Sequence, residues 1–167
     1  AVRDGNTVID HLPETARELF EYDLVVLLDA DHRQLPRGWG ELLDQHVSRN
    51  GAGLLFAAGR KFTADLMRSP TAESLVRLLP VVPDPEAELI LNEVGYYQRA
   101  GASIRLPEHV AEHPIFEGLY LASATDAAQQ KAGLSEKVYW HYPVKHEKPA
   151  ATVLMRHGHP RMRNSYG

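Results

Sequence analysis

Five consecutive apolar residues, Leu24-Val25-Val26-Leu27-Leu28, stand between Asp23 and Asp29. The run is long enough for a strand and too short for a helix that caps itself. No polar residue alternates through it, which is the pattern of a strand covered on both faces, as in parallel sheets. Asp29 and Asp31 follow at its C-terminal end. In an open α/β sheet that end is where ligands bind. The stretch therefore predicts an α/β architecture with a mostly parallel central sheet, and it marks the place to look for a site.

The flanking sequence extends this reading. Trp39, Leu42, Leu43, His46 and Val47 share one helical face, and Asn50-Gly51 is a stop signal for that helix. Gly53 to Ala58 reads as a second buried strand. Strand, helix and strand make a βαβ unit, whose strands end together at Asp29-Ala30-Asp31 and Gly59-Arg60-Lys61-Phe62. Upstream, Val8-Ile9 suits a short strand, and Leu12, Ala16, Leu19 and Phe20 fall at helical spacing after Pro13. Downstream, Thr63 is a candidate cap for a short helical turn. Ser69-Pro70 opens a helix that buries Leu75, Val76, Leu78 and Leu79. Strands are predicted at Leu89-Ile90-Leu91, Ser103 to Leu106, Val138 to Val144 and Ala151 to Met155. His113-Pro114-Ile115-Phe116 reads as a turn followed by a packing anchor. Tyr96-Tyr97 suits an edge cover, and Ala122 to Gly133 a helix or a loop.

Composition narrows the chemistry. Cysteine is absent, which excludes disulfides, thiolate metal sites and a cysteine nucleophile. No run is long and apolar enough to cross a bilayer, so no direct membrane insertion by this chain is expected. Residues 1–136 hold 12 Lys+Arg against 21 Asp+Glu, while residues 137–167 hold six against one. The basic stretch contains strand-like segments rather than a basic helix, and the whole chain carries −4. A basic rim that pairs with the acidic remainder is favoured over a nucleic-acid patch.

A set of motifs in a fixed order resembles the class I glutamine amidotransferase-like domain of large bacterial membrane proteins, often found beside a von Willebrand factor A-type domain. The residues that carry it are Leu12-Pro13-Glu14-Thr15, Glu18-Leu19-Phe20, Tyr22 to Leu27 and Asp29-Ala30-Asp31. They continue with Asn50 to Leu55, Gly59 to Phe62, Leu78 to Val81, His113 to Phe116, Tyr142 to Val144 and Lys148 to Leu154. The resemblance implies a flavodoxin-like three-layer sandwich formed as a single domain over 1–167. It implies a further strand and helix before this stretch and a strand after it, so the chain is expected to be a piece of a larger protein. An extracytoplasmic or membrane-anchored location, through regions outside this chain, is likewise an implication of the resemblance.

Active class I amidotransferases carry a cysteine on a sharp strand-to-helix turn, with backbone N–H groups for the oxyanion and a histidine for the proton. The matching turn is Phe56-Ala57-Ala58-Gly59-Arg60, where alanine takes the place of the nucleophile. No glutaminase activity is expected. The turn retains the means to bind a small polar ligand or a partner protein's loop. Beside Ala58, Gly59 lets a backbone approach closely, the following N–H groups suit an anion, and Arg60 and Lys61 add positive charge. Asp29, Asp31 and Arg33 belong to the same rim. The plainer alternative is that Asp29 or Asp31 caps the next helix and Arg60 pairs with it. A second functional class, a hydrolase or carbohydrate-active enzyme using Asp29 or Asp31 as base, also fits the strand ends, as does a purely structural spacer.

No cofactor and no metal are expected. His157 and His159, two apart, share a side only if they lie in a strand, and Gly158-His159-Pro160 reads as a turn. His141 and His146 add no third ligand fixed by spacing. Asp29, Asp31 and His32 would be the best local cluster for a metal. Tyr139, Trp140 and Tyr142 suit packing better than a sugar platform. A strand left open at one edge would favour a homo-oligomer.

Overall fold

The computed structural model describes residues 2–4, 7–93, 101, 104–105, 113–116 and 138–158. The chain is mixed α/β and divides into two compact units, Ala1–Leu79 and Pro80–Gly167.

The first unit opens with an antiparallel pair, β1 (Val2–Asp4) and β2 (Thr7–Ile9). Helix α1 (Ala16–Leu19) follows, and Pro13 stands ahead of it rather than in its first turn. Thr15 and Glu18 form a reciprocal capping box, which satisfies two of the helix's orphan N–H groups. Strand β3 (Leu24–Leu28) pairs in parallel with β4 (Gly53–Ala57), Leu24 opposite Gly53 and Leu28 opposite Ala57. Helix α2 (Trp39–Asn50) connects them and completes the βαβ unit. It stops at Gly51, whose φ of 73° is left-handed and whose N–H bonds the His46 carbonyl. Helix α3 (Thr63–Arg68), a 3-10 turn at Pro70–Ala72 and helix α4 (Glu73–Leu78) close the unit. The helix expected from Ser69-Pro70 thus begins with a tighter turn, because the proline fixes φ but the α-ladder starts only at Glu73.

The core of this unit joins all of these helices to one side of the sheet. Leu19, Leu27, Trp39, Leu43, Leu66, Ala72 and Leu75 are its buried members, with Val25, Leu54 and Phe56 packed against them. Full burial of a leucine side chain contributes about 1.5–3 kcal/mol, and Leu19, Leu43, Leu66 and Leu75 each reach it. Trp39 Nε1 donates to the Pro13 carbonyl at 2.9 Å inside this core. His46, on the helical face assigned from spacing, is buried against the Tyr22 carbonyl at 2.7 Å and stacks on Phe20.

Period-two alternation corrects the expectation of a sheet covered on both faces. Val25 and Leu27 point into the core, but Leu24, Val26 and Leu28 are 55, 46 and 68 % exposed, as is Leu55 at 53 %. The helices of this unit pack on a single side, so the continuous apolar run does not mean burial of every residue.

The second unit is built on two antiparallel pairs. Strand β5 (Val81–Pro83) pairs with β7 (Val144–Glu147) through a bulge at Val82/Pro83. Strand β6 (Ile104–Arg105) pairs with β8 (Arg156–His157). Helix α5 (Pro85–Glu93) lies between β5 and β6 in sequence. It overturns the strand expected at Leu89-Ile90-Leu91. Asp84 caps it, its Oδ1 accepting from Ala87 N–H at 3.1 Å, and Pro85 with Glu86 and Glu88 supplies the proline and acidic first turn that favour a helix start. The aromatic strand expected over Val138 to Val144 is reduced to a single bridge at Val138, the ladder beginning only after Pro143. Proline has no N–H to donate, and the Pro143 carbonyl instead accepts from Asp84 N–H at 3.0 Å. Ala151 to Met155 is not a strand, pairing being confined to Arg156 and His157. Pro114–Phe116 forms a 3-10 turn in which Ile115 is 56 % exposed, so Ile115 is not a packing anchor. Tyr96-Tyr97, Ala122 to Gly133, Ser103, Leu106 and His159 lie outside the described residues.

Candidate functional site

Parallel pairing in this register sets Asp29 beside Ala58, so the two strand ends share one rim as the sequence predicts. The ladder runs one residue past β3, with Asp29 N–H donating to the Ala57 carbonyl at 2.8 Å. There the backbone turns sharply. Asp29 has φ 44°, the one positive φ outside glycine among the described residues. Aspartate tolerates the left-handed region better than most side chains.

The turn swings the Asp29 carboxylate across to the loop after β4. Its Oδ2 accepts from Lys61 N–H at 2.9 Å, and its Oδ1 from Phe62 N–H at 3.0 Å and Thr63 N–H at 2.9 Å. The Thr63 hydroxyl donates to the same Oδ1 at 2.9 Å and accepts from Gly59 N–H at 2.8 Å. Asp29 is thus the cap of α3, supplied from the neighbouring strand. Thr63, expected to be the cap, is the first helical residue and is fully buried beneath Asp29.

Gly59 makes room for this. A Cβ at Gly59 would run into the Asp29 side chain, so any side chain there would collide with the carboxylate. Burial alone would raise the Asp29 pKa, but the hydrogen bonds from Lys61, Phe62 and Thr63 outweigh it and hold the carboxyl below its ordinary value.

Asp31 performs the same task locally. It caps the 3-10 turn His32–Gln34 through Arg33 N–H at 3.1 Å. It also takes a two-point bond from the Arg33 guanidinium, Nε to Oδ1 at 2.8 Å and Nη2 to Oδ2 at 3.0 Å. The Arg33 hydrogen bond keeps its pKa low. Arg33 and Lys61 both approach the Phe62 ring, at 5.9 and 4.7 Å from its centroid. His32, beside the pair, holds its Nδ1 out of solvent with no hydrogen-bond partner among the described residues.

The candidate residues are therefore brought together in two groups. Asp29, Gly59 and Lys61 form one, joined by Phe62 and Thr63, and Asp31 with Arg33 forms the other. Ala58 and Arg60 are exposed, and Arg60 makes no ion pair with either aspartate, which removes that part of the simpler capping alternative. Phe62 was not singled out from the sequence beyond its place in the turn. Its role follows from the cations beside it, a signal that one-dimensional spacing does not carry. Among the described residues no three His, Asp or Glu side chains converge on a metal position. Both aspartates are ionised and supplied with donors, which suits a structural clamp rather than proton transfer. Comparison with protein-family models, curated proteins and solved structures finds no match to this chain.

Proposed function

We propose that this chain is a non-catalytic, class I glutamine amidotransferase-like module that serves ligand or protein interaction in a larger, membrane-anchored bacterial protein. One observation carries the reading. At the turn after β4, the N–H groups of Lys61, Phe62 and Thr63 are filled by the Asp29 carboxylate of the same chain. In the resembling enzymes, backbone N–H groups at the turn would receive the reacting oxyanion. Here Ala58 supplies no nucleophile and Asp29 occupies the donors. The surface that remains for recognition is the rim where Lys61 and the Asp31-paired Arg33 flank Phe62, with Arg60 exposed in the same turn.

The βαβ unit and its parallel pair support a flavodoxin-like sandwich as the finer fold assignment. The enzymatic alternative draws no support from the carboxylates. A general base works best with a pKa near the operating pH, and Asp29 and Asp31 are both held below their ordinary value, Asp29 with its oxygens already taken by donors.

Two measurements test the proposal. Purified protein incubated with L-glutamine should release no ammonia above buffer, and release above that level sinks the non-catalytic reading. Sequencing the gene outward from this segment should reveal membrane-spanning segments in the same reading frame. A short open frame without them removes the membrane-anchored setting.

A further inference from the structure

We draw no further inference here: the strongest candidate, the exposed apolar stripe of Leu24, Val26 and Leu28 on β3 with Leu55 beside it on β4, is a sheet face for which nothing in the structure shows what covers it.

Discussion

Replacing Asp29 by alanine should uncouple the start of α3 from the end of β3. The carboxylate accepts three backbone N–H groups and one hydroxyl. Loss of a helix cap costs about 1 kcal/mol. The Thr63 hydroxyl, fully buried, also loses its acceptor, at about 1–3 kcal/mol. Alanine would still have to hold φ near 44°, without the local hydrogen bonding that lets aspartate tolerate it. The sum is about 2–4 kcal/mol, which moves the urea midpoint by about 1–2 M for a small protein. Fluorescence of Trp39 in a Trp140→Phe background reports the first unit. A loss below about 0.5 kcal/mol, the range of an ordinary surface substitution, would refute the clamp. The pH dependence provides a second arm. The folded-state pKa of Asp29 lies below the ordinary 3.8. The stability it contributes is therefore complete above that pH and is lost as pH falls through the depressed value. The gap between wild type and Asp29→Ala should stay constant at neutral pH and close only in strong acid. A gap that closes between pH 7 and 5 contradicts the assignment.

Gly59→Ala should destabilise the same unit, because the new methyl meets Asp29, and the cost should shrink in an Asp29→Gly background, as a double-mutant cycle in urea would read. Trp39→Phe should cost about 1–3 kcal/mol by stranding the Pro13 carbonyl in the core, again measured by urea unfolding followed by circular dichroism. His141 should titrate near 4 in a histidine NMR series, well under the ordinary 6.5. Since the unfolded state then binds the extra proton first, this residue should erode stability as pH falls from 6.5 towards 4.

The legible part of the fold is the βαβ unit. Leu24 to Leu28, the helical spacing from Trp39 to Val47 and the Asn50-Gly51 stop each agree with the local structure, and their agreement fixes the rim. The chemistry at the rim was half legible. Two aspartates after a strand announce capping or binding, but only the turn at Asp29 decides that its carboxylate reaches across to the loop holding Gly59 and Thr63. Thr15-x-x-Glu18 was a readable capping box that the spacing argument passed over in favour of Pro13. At Leu89-Ile90-Leu91 apolar content outweighed the stronger signal upstream, Asp84-Pro85-Glu86, which specifies a helix start. The contact between His141 and His157 was not legible, because the two rings meet across the fold of the second unit and no spacing along the chain encodes it.

The exposed stripe on β3 bears on how concentrated this chain can become. Leu24, Val26 and Leu28 present apolar side chains at every second position, the kind of segment that seeds strand-on-strand stacking when it lies open to water. Asp23 and Asp29 stand at its two ends. In any in-register stack, each carboxylate would lie about 4.8 Å from its copy in the next chain, so the two residues act as gatekeepers against growth. Strong salt, which screens the repulsion between these carboxylates, is the solvent condition that releases that brake.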